Sequence, residues 1–236
     1  KKIGSKMNKI KLTSLVGAAA LLATSISTNS FAGSIGVGLN ATGAYVNTTG
    51  SETLKQSGVV TKAERHAVGL LPSGYIQYVL DNGVTFGWDM SPGSVSIGSK
   101  GATKEEALDT HTSAQNTVRN EAKAKARDLH VVYVESPAWE AGGGLFVKLG
   151  VASVTIESNE DLETGSVYPN EDVYGGQIGI GFKGTADSGI HMKFQAEYTD
   201  FETVSLNSTA DADGGINKIS ADPEIYGLKL SVGYQF

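Results

Sequence analysis

The chain has 236 residues, with 19 basic and 25 acidic side chains giving a net charge of -6 at pH 7, thirty glycines, five prolines and no cysteine. The acidic balance makes it a poor candidate for nucleic acid, and with no disulfide framework an exported chain of this kind must draw its stability from packing and hydrogen bonding. The length suits one domain.

At the start, Lys6, Lys9 and Lys11 precede an apolar run from Leu12 to Ala23, and a polar stretch then closes on Ser30, Phe31 and Ala32. That order predicts a secretory signal with a small-residue cleavage site, residues 1–32, and a mature chain of residues 33–236 starting at Gly33. Met7 reads as the natural initiator, with residues 1–6 as an upstream extension. The apolar run is too short for a spanning helix, which needs roughly 20 residues. Removing five lysines and no acidic residue takes the net charge from -6 to -11. A mature chain without a long apolar run can cross a membrane only as a closed barrel, in which every backbone group is paired.

Period-two alternation then gives eight strand candidates. The first, near 34–47, sets Ile35, Val37, Leu39 and Tyr45 against Gly36, Gly38, Asn40 and Thr42. The second, near 68–80, aligns Ile76, Tyr78 and Leu80, and the third opposes Val84, Phe86, Trp88 and Met90 to Thr85, Gly87 and Asp89. In the fourth, near 129–136, the consecutive Val131, Val132, Tyr133 and Val134 leave the facing open. The fifth, near 145–156, sets Leu145, Val147, Leu149 and Val151 against Lys148 and Gly150 and then switches parity, which predicts a bulge. The sixth alternates Ile178, Ile180 and Phe182 with Gln177, Gly179, Gly181 and Lys183, and the seventh opposes Ile190, Met192, Phe194, Ala196 and Tyr198 to His191, Lys193, Gln195 and Glu197. The eighth is the last segment, with Leu228, Leu230, Val232, Tyr234 and Phe236 on one parity and Lys229, Ser231, Gly233 and Gln235 on the other.

The links alternate in length. Asp81-Asn82-Gly83 and Asp187-Ser188-Gly189 carry tight-turn chemistry, and residues 137–144 join strands four and five. The other links are long, near 48–67, 96–128, 158–172 and 205–224, which is the pattern of short periplasmic turns and longer outer loops. Residues 103–127 are rich in Ala, Glu and Lys, and Thr103 with Glu106 suggests a capping box, so a helix is expected in the second outer loop although no apolar stripe supports it. A ten-stranded count would need an extra hairpin there. The basic trio Lys123, Lys125 and Arg127 could meet lipopolysaccharide phosphates.

The final segment resembles the C-terminal assembly signal of bacterial outer-membrane β-barrels: a terminal aromatic, Phe236, with apolar residues at every second position before it, and Lys229, Ser231, Tyr234 and Phe236 on the motif positions. Ser231 stands where that pattern usually has Gly. The chain is similar in this pattern to the outer membrane protein A transmembrane domain and opacity-type surface barrels, and the resemblance implies an all-β, antiparallel up-and-down barrel of eight strands in the outer membrane. It further implies folding by the barrel-assembly machinery with periplasmic chaperones, contact with outer-membrane lipid and lipopolysaccharide, and roles in envelope integrity, adhesion or narrow permeation.

If lipid takes the apolar face, Asp89, Lys148, Lys183, His191, Lys193, Gln195, Glu197 and Lys229 fall in the lumen, where charges persist only when paired or wetted. Lys193 or Lys229 with Glu197 is the expected ion pair. Such a network can plug and brace the barrel or line a narrow channel for small solutes. The resemblance also admits lipid-modifying enzymes as a third class, but the histidines offer only His111 two residues before Ser113, and His66 beside Glu64 and Arg65, so no catalytic motif is assigned. Asp211, Asp213 and Gly214 make half of a calcium loop without its bidentate Glu, and neither metal nor cofactor is expected.

Overall fold

The sheet closes on itself. In this computed structural model, which describes residues 33–53, 58, 60–107, 115–161, 168–209, 216 and 218–236, the strands are β1 (Gly33–Thr53), β2 (Val60–Leu80), β3 (Thr85–Ala107), β4 (Gln115–Glu135), β5 (Leu145–Asp161), β6 (Glu171–Thr185), β7 (Ile190–Phe201), β8 (Val204–Asn207) and β9 (Lys218–Gln235). Neighbours pair antiparallel in chain order, and β9 returns to β1. β7 and β8 both pair with β9: Asp200 faces Glu224, and after the break Val204 faces Ala221 rather than Ser220. They are one strand with a bulge, so the ring has eight members.

The stagger of the ring sets its width. Val37, Ile76, Trp88, Val132, Val151, Gly176, Asp200 and Glu224 are successive partners, and the walk re-enters β1 at Asn47, ten residues beyond its start. With ~3.3 Å per residue and ~4.7 Å between strands, that stagger tilts the strands by about 40° and gives a backbone radius of about 8 Å. Side chains fill a cylinder of that size.

The pleat sorts the residues. Ile35, Val37, Leu39, Ile76, Trp88, Ile178, Phe194 and Leu230 point outward and are exposed, whereas Asn40, Thr42, Gln77, Asp89, Lys148 and Gln195 point inward and are buried. From Ile35 to Tyr45 the outward face of β1 rises about 25 Å along the axis, the height of an outer-membrane apolar band. An aromatic arc marks its outer limit: His66 stacks on Tyr45 at 5.6 Å, Tyr45 meets Tyr226 at 6.2 Å, and Tyr226 meets Tyr198 at 4.9 Å. The hydroxyls of Tyr198 and Tyr226 both donate to Glu224, at 3.3 and 3.2 Å, so each ring keeps its polar end anchored.

Three expectations are corrected. Residues 103–107 continue β3 and 115–127 belong to β4, with Thr103 opposite Arg119 and Glu106 opposite Asn116, so the described part of the expected helix is paired strand. Ala122, Ala124 and Ala126 alternate with Lys123, Lys125 and Arg127, a period of two, and a helix here would have no apolar stripe to bury. These residues lengthen two existing strands, and among the described residues the ring holds eight strands and not ten. Second, β5 keeps one register with β6 from Leu145 opposite Phe182 to Ile156 opposite Glu171, so it has no bulge. Ala152, Val154 and Ile156 stay on the inner face because the lumen itself turns apolar at that height. The bulge lies in β4 between Arg127 and His130, where Asp128 adopts a φ of 52°. Third, the outer links are shorter than expected, since β1 runs to Thr53 and β2 starts at Val60.

The turns at the other end are tight. Gly83 follows Asp81 and Asn82 with a φ of 81°, and the Asn82 side chain accepts the Val84 N–H at 3.0 Å. The short 3-10 turn Glu140–Gly142 links β4 to β5, and Gly189 accepts the backbone N–H of Gln235 at 2.8 Å.

Candidate functional site

Inward positions of six neighbouring strands deliver charge to the middle and inner part of the lumen. Lys193 of β7 donates to Glu135 Oε1 at 2.9 Å and Lys183 of β6 to Glu135 Oε2 at 3.1 Å. One carboxylate thus holds two ammonium groups. Above it, Asp89 Oδ2 of β3 accepts from Lys229 of β9 at 2.9 Å and from Lys148 of β5 at 3.1 Å. Glu197 Oε2 lies 3.0 Å from Lys229 and 3.8 Å from Lys148. These seven charged side chains are all at most 8% exposed.

Neutral groups complete the coordination. Lys193 also donates to Gln77 at 3.0 Å and to the Tyr133 hydroxyl at 3.5 Å, and Lys183 to Thr85 at 3.2 Å. Gln195 donates to Glu197 at 2.8 Å, and Asn40 reaches Ser73 at 2.9 Å and Asp89 at 3.4 Å. Lys148 sits 4.1 Å from the centre of the Tyr133 ring and Lys193 4.8 Å from that of Tyr75. Buried ions survive only with such saturation, because the desolvation of each costs several kcal/mol. Four lysines against three carboxylates leave a single positive charge, shared over a belt of amides, hydroxyls and rings.

Above the charges the lumen changes character. Val131, Tyr133, Ala152, Val154, Ile156, Tyr168, Val173, Phe201, Val204 and Leu206 form one buried apolar cluster, with Leu129, Ile219 and Ile225 packed against it. The barrel therefore has a charged lower storey and an apolar upper one.

All eight candidate lumen residues, Asp89, Lys148, Lys183, His191, Lys193, Gln195, Glu197 and Lys229, lie on the inner face. His191 stands apart from the ion pairs, bonding Thr185 at 2.8 Å through Nδ1. Lys229 pairs with Glu197 as expected, but Lys193 takes Glu135 instead, across the lumen from its own strand. Glu135 was missed because the apolar run before it hid the facing of β4. The signal was present, since Glu135 shares parity with Tyr133 and faces Thr85 across the ladder.

In the last segment Leu228, Leu230, Val232, Tyr234 and Phe236 face outward, while Lys229 and Ser231 are buried inside. Phe236 and Ile35 exchange backbone hydrogen bonds at 2.9 and 3.0 Å, which carries the closure of the ring to the end of β9. Gly33 opens β1 opposite Leu80. Ser30 and Ala32, His111 with Ser113, and Asp211, Asp213 and Gly214 lie outside the described residues. His66 is exposed, its Nδ1 2.7 Å from the Tyr45 hydroxyl. Arg127 donates to Glu157 at 2.6 Å, so this member of the basic trio is already engaged.

No family model and no curated protein sequence matches the chain. Solved structures do. The outer membrane protease OmpT of Escherichia coli is similar over 89% of this chain and 100% of its own, with 8% identity and a TM-score of 0.50. The outer membrane protein AlkL follows with 12% identity, 89% and 93% coverage and a TM-score of 0.47, and OprG of Pseudomonas aeruginosa with 13% identity, 85% and 96% coverage and a TM-score of 0.39. At such identities the likeness speaks for architecture alone, and it agrees with the closed antiparallel ring: the fold is that of the small bacterial outer-membrane β-barrels.

Proposed function

We propose that the protein is an integral outer-membrane barrel with a structural and surface-interaction role and a lumen closed by its own side chains. The observation that carries this reading is the pair of Glu135 bonds to Lys183 and Lys193. They bridge the lumen at a point where a passing solute would have to part charges that no water replaces at equal strength. The largely apolar storey above offers a hydrated ion few partners. Export through a cleaved signal, insertion by the barrel-assembly machinery and contact with lipopolysaccharide belong to this reading, supported by the outward apolar band and the aromatic arc at its rim.

Conductance of purified, refolded protein in planar bilayers tests it. A silent bilayer is expected, and steady single-channel openings would replace this reading with that of a narrow channel for small solutes.

A further inference from the structure

The wall of the barrel is unzipped at one place. β2 and β3 pair only from Val79 opposite Thr85 to Gly74 opposite Met90. Beyond that point, among the described residues, β2 pairs with β1 alone and β3 with β4 alone, although both strands run on, to Val60 and Ala107. Counted along the tilted strands, the gap starts about 9 Å below the Tyr45 level, in the outer half of the apolar band. The residues at the lips account for it. Pro72 stands on β2 and Pro92 on β3, and neither has an N–H to give to a ladder. Gly93 follows with a φ of 103°, the β3 register slips between Ser91 and Ser94, and the bulged Asp128 of β4 receives the Gly93 N–H at 3.4 Å.

Behind the gap is a cavity of about 230 Å³. Its inner walls are largely aliphatic, with Val46, Leu71, Ala126, Leu129, Val154 and Ile225, while Ser91, Ser94 and Asp128 bring polar groups to its β3 and β4 side. A small polar space that shares Leu71, Ser91, Leu129 and Ile225 with it leads down to Asp89, Glu197 and Lys229, and the apolar cluster borders its far side, so the gap is its way to the lipid. Open strand edges are tolerated at hydrocarbon depth only where they are buried in protein or line a water-filled cavity, so an unpaired stretch here marks a special place in the wall. Outside and directly below, Gly74 forms the bottom of a furrow between Leu39, Ile76, Trp88 and Met90 on the lipid-facing surface. Gly74 is thus both the last paired residue of the ladder and the head of the furrow.

We propose that the gap between β2 and β3 is a lateral port through which a single alkyl chain from the outer leaflet enters the interior cavity. The furrow aligns the chain, the missing ladder gives it passage, and the aliphatic walls hold it. A cavity of ~150 Å³ lined by such side chains takes a benzene, so this one takes a segment of roughly eight carbons rather than a whole lipid. None of the seven charged side chains of the lower storey lines the cavity itself.

The test is photolabelling in nanodiscs made with a phosphatidylcholine that carries a diazirine near the end of one acyl chain, read by mass spectrometry. Leu129 and Val154 report on the interior, and Leu228 to Val232 on the ordinary lipid face. Labelling at Leu129 and Val154 is expected, reduced at least fivefold in Ala126→Phe, which fills the cavity, while labelling at Leu228 to Val232 stays the same. Leu71→Phe serves the same purpose should Ala126→Phe fail to fold. Labelling confined to the outer face, or interior labelling that survives both fillings, overturns the port. In a second arm the diazirine is on free dodecanoic acid added to discs of unreactive lipid. Interior labelling in that arm alone overturns entry of a bilayer lipid chain. Conductance is a separate readout, so a leaky lumen and an unlabelled cavity are distinct failures.

Discussion

The ring of Tyr133 lies on the bare backbone of Gly87, its partner across the β3–β4 ladder. A Cβ at Gly87 would meet the end of that ring and its hydroxyl. Tyr75 repeats the arrangement against Gly38, its partner on β1, and Gly233 of β9. In a cylinder about 8 Å in radius, an inward tyrosine fits only where the facing wall gives up its side chain. Gly87→Val is therefore expected to destabilise the refolded barrel by about 2 kcal/mol, as overpacking does. Urea unfolding in detergent micelles measures it, and a loss within experimental error would mean the ring moves aside freely.

Glu135→Gln leaves Lys183 and Lys193 without a carboxylate partner, and breaking a buried pair of this kind costs about 3–5 kcal/mol. Glu197→Gln is milder, since Lys148 and Lys229 keep Asp89. The expected order of unfolding midpoints is wild type, then Glu197→Gln, then Glu135→Gln. Planar bilayers should show conductance appear first in Glu135→Gln. The reverse order would place the main brace at Glu197.

Charge on the lipid side should cost according to depth. Leu230 lies near mid-height of the apolar band and Tyr226 near its outer limit, both outward. Leu230→Arg is expected to lower stability in lipid vesicles by about 2–4 kcal/mol and Tyr226→Arg by about 1 kcal/mol or less. Equal losses at the two sites would argue against the band drawn here.

Phe236 is exposed and joins the wall chiefly through its backbone bonds with Ile35. Phe236→Ala should accordingly change the unfolding midpoint of refolded protein little. In cells, the amount of heat-modifiable barrel in the outer membrane should fall several-fold, as the proposed insertion by the barrel-assembly machinery requires. Unimpaired assembly of Phe236→Ala would remove that requirement.

The strand count and outward face were legible because lipid imposes a strict rule on alternate residues, as in Ile190 to Tyr198. The rule weakens wherever both faces are apolar. The valines before Glu135 concealed its direction, and Ala152, Val154 and Ile156 imitated a bulge, since a dry upper lumen reads like a lipid face. Residues 103–127 misled in the other direction: above the bilayer, helix-forming composition is overruled by a partner strand that is already in place. The gap between β2 and β3 was written in Pro72 and Pro92, but a proline shows that a bond is missing and not which neighbour lacks it.

The paired strands continue well past the tyrosine arc, β1 to Thr53 with β2 and β9 still in step beside it. A binding partner approaching from outside would then meet, at β9, β1 and β2, a hydrogen-bonded wall standing about 20 Å above the arc. Association with such a paired wall spends little on freezing conformations, so even a small footprint on its edge could hold a ligand with useful lifetime.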